Sequence, residues 1–520
     1  MLAPIPRLED YGLSPKTGFL PSELPLQRLP HPAYDKWERI INNFQSLLLS
    51  KRLRIIIDRL PVLPTSHLET EPEWRRAYSM LAFMAHGYIW GGEKPAEVLP
   101  PPITYPLLQV STHLGVPPVA TYSGLCLWNY KPIFLSDNLT LDNLSTLTTF
   151  TGSTDEQWFY LVSVAIEARG GPTIPLMLHA IDAARCDEAE VVTACLRSFA
   201  EILDELGGLL VRMYENCDPH VFYHRIRPYL AGSKNMRDAG LPRGVKYDDG
   251  TKNATWRQYG GGSNAQSSLI QFFDIVLGIE HRPTGEKRNE SSESEAEPGI
   301  APQARHNFIH EMRQYMPGAH RKFLQAVESV ANIREYVESH QTNTQLCIAY
   351  DACLAMLRAL RDKHIQMVSR YIIIKSRESR SMSRSRHRSP NPAPTTGTGI
   401  ASIKYEAGRK DGRSAPAAAE ARGGGAGTGK RLRGTGGTAL IPFLRQARDE
   451  TGEPAIDAWA RKFMSGARRS QADAEMEAES RAYAGQLGML GYEAEDDGPM
   501  VVGLAGSWNM EDNGGGLCQY

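Results

Sequence analysis

The sequence predicts an all-α fold. Apolar residues recur at spacings of three and four over long stretches, the period of one helical face. Alternating strand patterns are scarce. Pro and Gly gather in short clusters between the periodic stretches, as connectors do.

Residues 1–33 are rich in Pro and Leu and read as a packed arm or a loose tail around Thr17-Gly-Phe-Leu-Pro21. A helix is predicted from Tyr34 to about Leu60 on Trp37, Ile40, Ile41, Phe44, Leu47 and Leu48, with Pro61 ending it; Ile55–Ile57 could continue it or form a short strand. Glu71 to Trp90 is a second helix, and Pro95 to Pro106 a proline-dense connector. Further helices are predicted over 107–114, 155–168, 175–184, 187–215 and 267–279. Asp218 is a candidate cap for a short helix ending near Arg227, before Pro228. A polar, acidic loop follows at 284–303, then helices at 306–315 and 319–330. Residues 376–429 are predicted to be disordered, and a helix through Leu440, Phe443 and Leu444 follows.

The 520 residues favour more than one domain, and 41% hydrophobic content is ample for a core. A net charge of −1 argues against a general nucleic-acid binder. Seven Cys without a Cys-x-x-Cys pair read as reduced thiols, not a disulfide frame or zinc site. No apolar signal core opens the chain and no run of about 18 apolar residues occurs, so a cytoplasmic protein is expected.

Several motifs are weak. Gly424–Lys430 imitates a phosphate-binding loop, but Arg431 stands where a Mg²⁺-binding Ser or Thr is needed and no strand precedes it. Gly260-Gly-Gly-Ser263 lacks the lysine, and suits close backbone approach to something flat. The Ser/Arg tract at 376–388 is read as a solvated linker in preference to a phosphate-binding or phosphorylated segment. There is no Gly-x-Ser-x-Gly elbow and no His-Glu-x-x-His pair.

One stretch carries chemistry. From Tyr350 to Ile374 runs a helix whose apolar stripe, Tyr350, Leu354, Leu357, Leu360, Val368 and Tyr371, includes His364; Arg361 lies one turn earlier. Two readings are open. The imidazole could bind the metal of a flat anionic cofactor, with Arg361 on a carboxylate. Alternatively, His364 is a core histidine bonded to a neighbour's carbonyl.

Several segments, in order, resemble the indoleamine 2,3-dioxygenase family of haem enzymes. The clearest are Gly260–Ile279, Tyr315–Leu324 and Leu360-Arg-Asp-Lys-His364; weaker ones are Leu114–Pro118, Phe159–Ser163, Phe222–Arg227 and Gly434–Thr438. The resemblance implies a small N-terminal helical domain with its connector (1–106) packed on a large helical haem domain (107–375). A disordered insertion (376–430), an active-site-closing loop and helix (431–450) and a low-complexity tail (451–520) follow.

It also implies haem b with His364 as iron ligand, Arg361 at a propionate and Asp274 as a partner orienting the ligand or its water. On the substrate side it implies Tyr122, Phe159 and Phe222 as aromatic walls, and Arg227 on the tryptophan carboxylate. Ser163 would lie near the indole nitrogen or O₂, Ser263 beside the haem, and Thr435 on a closing loop. The chain departs from the family at Asn264, Tyr160 and Leu125. The implied activity is cleavage of the indole C2–C3 bond of L-tryptophan by O₂ to give N-formylkynurenine, with an external reductant. A monomer without membrane or nucleic-acid partners is expected. The rival reading is a haem-containing sensor with little turnover that uses the insertion to bind partners.

Overall fold

A computed structural model describes residues 3–135, 139–252, 254–283, 308–376, 378, 440–462, 464, 500–503 and 506–509. Residues up to Ala467 form one compact unit; Arg468–Tyr520 form a second. In the second, strands Met500–Gly503 and Gly506–Asn509 pair as an antiparallel hairpin. The first unit is mostly helical, as the periodicity predicts.

The N-terminal stretch is a packed arm. Phe19 sits 4.9 Å from the His320 ring and 5.9 Å from that of Phe323. Gly18, with φ 60°, lies so close to Gly171 that a Cβ would fall 2.6 Å from its Cα. The single helix expected from Tyr34 to Leu60 is three: α1 (Asp35–Asn42), α2 (Phe44–Leu49) and α3 (Leu53–Asp58). Asn43 leaves helical geometry between the first two, and Lys51, at φ 57°, turns the chain before the third. Arg76 on α4 (Glu71–Trp90) forms a buried ion pair with Glu38 on α1, which also accepts from Leu29 N of the arm at 2.9 Å.

Part of the expected connector is helical. Helix α5 (Pro101–Leu114) starts inside it, with prolines in its first turn, where no intrahelical N–H bond is lost. The expected boundary at residue 106 falls within α5. Gly115, at φ 64°, ends this helix in the left-handed region.

Helix α6 (Thr154–Gly170) is capped by Ser153, whose hydroxyl accepts from Glu156 N. α7 (Thr173–Arg185) and α8 (Ala189–Val211) form the hairpin that the sequence predicts, followed by the short α9 (Met213–Asn216). Asp218 accepts from His220 N and Val221 N, capping α10 (Pro219–Val221). The chain then widens into a π turn (Phe222–Ile226) and continues as α11 (Arg227–Leu230). Pro228 does not stop it, because it lies in the first turn of α11.

Ser267 caps α12 (Ser268–Val276), and α13 (Phe308–Arg313) and α14 (Gly318–Glu328) follow. α15 (Ile333–Ser339) is a helix not expected from the sequence. α16 (Thr344–Val368) lies along α8, where Gly207 allows the Lys363 side chain to pass. Two more helices, α17 (Leu440–Thr451) and α18 (Ala458–Lys462), complete the described chain of this unit. Its strands are two or three residues long: β1 (Val98–Leu99) pairs in parallel with β4 (Val245–Tyr247), which pairs with β5 (Thr255–Arg257), and β2 (Tyr130–Pro132) pairs with β3 (Leu144–Thr146). Among the described residues no helix is long and apolar enough to cross a membrane.

Candidate active site

The predicted stripe of α16 is present. Tyr350, Leu354, Leu357, Leu360 and Val368 are buried, and Asn343 caps the helix by accepting from Leu346 N. After Val368 the helix widens into a π turn (Ser369–Ile374), which carries Tyr371 into the core. The Tyr371 hydroxyl donates to the Cys217 carbonyl.

His364 is half-buried, and among the described residues none hydrogen-bonds to its ring. The carbonyl partner that a structural core histidine would need is therefore missing. Desolvation, then the Arg361 charge, lowers the imidazole to about 4. The ring is neutral at pH 7, and its basic nitrogen has a lone pair that no described protein donor occupies. That is the state an iron ligand requires, so the site fits a haem.

Arg361 is turned to a protein carboxylate. Its Nη2 lies 2.6 and 2.8 Å from the two oxygens of Asp274 on α12, and its Nη1 bonds to the Thr451 hydroxyl on α17. Asp274 in turn meets His281 Nε2 at 3.0 Å, and His281 Nδ1 meets Glu450 on α17 at 2.7 Å. Burial alone would raise the Asp274 carboxyl, but Arg361 and His281 hold it below the usual range. Burial alone would lower His281, but Asp274 and Glu450 raise it. This chain of charges braces α12, α16 and α17 around the segment that carries His364.

The aromatic residues converge. The rings of Phe159 on α6 and Phe222 lie 4.7 Å apart, and Phe222 meets Tyr371 edge-on at 5.6 Å. The His364 helix thus reaches the aromatic wall through its own π turn. Phe222 itself begins the π turn that leads to Arg227, whose guanidinium lies over the Tyr223 ring at 5.4 Å.

Tyr122 precedes a third π turn (Ser123–Leu127) and is buried. Its hydroxyl donates to Glu167 at 3.0 Å, and its backbone N–H donates to Gln266. Ser163 is buried beside the Cys126 thiol. Ser263 caps the short turn Asn264–Gln266. The close approach made by the glycine loop is to the chain's own backbone: a Cβ on Gly261 would fall 2.0 Å from the Leu230 carbonyl. Gly262 packs instead on the Leu125 side chain, and Gly260 N donates to the Tyr315 hydroxyl. Tyr160, one of the departures, spends its hydroxyl on Glu156 at 2.9 Å.

Thr435 lies outside the described residues, as do nearly all of the predicted disordered stretch, the acidic loop, Gly424–Lys430 and Gly434–Thr438. Sequence reasoning passed over Glu167, His281 and Glu450. Only Glu167 left a local signal: it follows Phe159 and Ser163 at four-residue steps, on one helical face.

The profile of the family Indoleamine 2,3-dioxygenase matches residues 7–454. The chain is 41% identical over 463 residues to indoleamine 2,3-dioxygenase nanC of Aspergillus nanangensis, covering 87% of this chain and 98% of that protein. It is 41% identical over 469 residues to the indoleamine 2,3-dioxygenase of Saccharomyces cerevisiae, covering 86% and 94%. It is 38% identical over 375 residues to 6-hydroxytryptophan 2,3-dioxygenase fscD of Fusarium equiseti, covering 72% and 87%. With the helical fold and the ordered motifs behind these matches, the chain belongs to the indoleamine 2,3-dioxygenase family.

Proposed function

We propose that this enzyme uses haem b to cleave the indole C2–C3 bond of L-tryptophan with O₂, yielding N-formylkynurenine. The observation that carries the reading is His364, a neutral imidazole without a described hydrogen-bond partner, on the helix whose end packs against the Phe222 wall. When bound, haem supplies the activation of O₂, which no side chain can provide.

The protein's own contribution is binding and orientation. His364 holds the iron. Phe159, Phe222 and Tyr122 enclose the indole and keep water from it. Arg227, partly buried, takes the carboxylate through its planar fork, and Thr435 is assigned to the amino-acid end by the family resemblance. Ser163 stands beside the indole but need not remove a proton, so Ser163→Ala retains substantial turnover. Arg361 acts through Asp274, as a brace for the ligand helix, and Ser263 borders the haem. Both oxygen atoms would enter the product, and an external reductant would be required. The enzyme is read as cytoplasmic and monomeric.

The test is an anaerobic tryptophan titration of the reduced, haem-loaded protein, followed by air. A Soret shift with tryptophan, then N-formylkynurenine over many turnovers, supports the proposal. A spectral change without product refutes the activity.

A further inference from the structure

We propose that Glu167 is a positioning residue that sets substrate affinity by holding the Tyr122 wall against the start of α12. The inference rests on the active-site reading above and adds a residue to it.

Three observations carry it. Phe159, Ser163 and Glu167 follow one another at four-residue steps along α6, so Glu167 ends the face that carries the two pocket residues. Its oxygen Oε1 accepts from two hydroxyls, Tyr122 Oη at 3.0 Å and Ser267 Oγ at 2.6 Å. Its other oxygen, Oε2, is buried without a hydrogen-bond partner among the described residues. An apolar side chain in its place would leave both buried hydroxyls without this acceptor. Here one oxygen joins three separate elements: α6, the segment that presents Tyr122, and the cap of α12.

The link reaches the glycine loop as well. Gln266 accepts from Tyr122 N at 2.8 Å and donates to the Gly261 carbonyl at 2.8 Å. Tyr122 is therefore held at its hydroxyl by Glu167 and at its backbone by the loop.

The group can change charge near neutrality. Burial raises Glu167 to about 7, against the two hydroxyls that favour its ionised form. The titratable groups facing it are the Tyr122 phenol and the Cys126 thiol; burial pushes both well above neutrality. Among the described residues no Lys or Arg pairs with it. An ionised carboxylate is the stronger acceptor, so protonation loosens the Tyr122 ring. Tryptophan affinity accordingly falls as pH drops through about 7.

The experiment measures tryptophan KM and kcat of the haem-loaded enzyme from pH 6 to 8. Wild type is expected to show KM rising about three- to tenfold toward pH 6, the weight of one hydrogen bond, with a smaller change in kcat. Glu167→Gln keeps an acceptor oxygen but cannot ionise, and its KM profile is expected to be flat. Tyr122→Phe leaves Glu167 in place but cuts the link, and is expected to be flat too. Should Glu167→Gln fail to fold, Tyr122→Phe decides alone. A wild-type KM that does not change with pH, or a variant that keeps the wild-type profile, overturns the role of Glu167 while leaving the active site standing. A wild-type protein that holds haem but never forms product overturns both.

Discussion

A single nitrogen of Arg361, Nη2, reaches both carboxylate oxygens of Asp274, at 2.6 and 2.8 Å, joining α16 to α12. Both side chains are largely buried, so removing one leaves the other's charge uncompensated. Asp274→Ala is expected to destabilise the apoprotein by about 3–5 kcal/mol in urea unfolding. A loss under about 1 kcal/mol would show that the pair is not a brace.

His281 lies between Asp274 and Glu450, and the pH response follows from the signs of their shifts. His281 is raised, so its contribution to stability is complete below its ordinary value of 6.5 and is lost as pH rises through its higher folded value. Asp274 and Glu450 are lowered, so theirs is present above the ordinary carboxylate range and lost as pH falls through the folded values. Wild type is expected to lose melting temperature on going from pH 6 to 9. His281→Gln, which cannot carry the charge, should lose less. Parallel curves would remove His281 from the account.

The ring of His364 has no described hydrogen bond to lose. His364→Ala should therefore abolish the Soret band after haem supply, while the apoprotein's unfolding free energy moves by less than about 1 kcal/mol. A His364→Ala protein that still holds haem in wild-type amount would require another ligand.

Two aromatic positions separate binding from stability. Phe222 touches both Phe159 and Tyr371, so Phe222→Ala should raise tryptophan KM on the order of tenfold. Tyr160 directs its hydroxyl to buried Glu156, so Tyr160→Phe should cost about 1 kcal/mol in stability. It should leave tryptophan KM unchanged. A KM effect at Tyr160 would mean that its hydroxyl senses the pocket.

Local signals carried well. The helix over Glu71–Trp90 and the cap at Asp218 were legible because periodicity and capping depend on neighbours within a turn. The break at Asn43 and the helical start at Pro101 were not, since each depends on which face the surrounding chain buries.

The sequence by itself determined the helical class, the family through its ordered motifs, and His364 on an apolar stripe. Only the tertiary structure decided where the polar groups are spent: Arg361 on Asp274, the Tyr160 hydroxyl on Glu156, and the Tyr122 and Ser267 hydroxyls on one oxygen of Glu167. The physical reason is range. A helical period is written within a few residues, whereas Arg361 and Asp274 stand 87 positions apart, and the buried carboxylate chooses its donors only after the helices have packed.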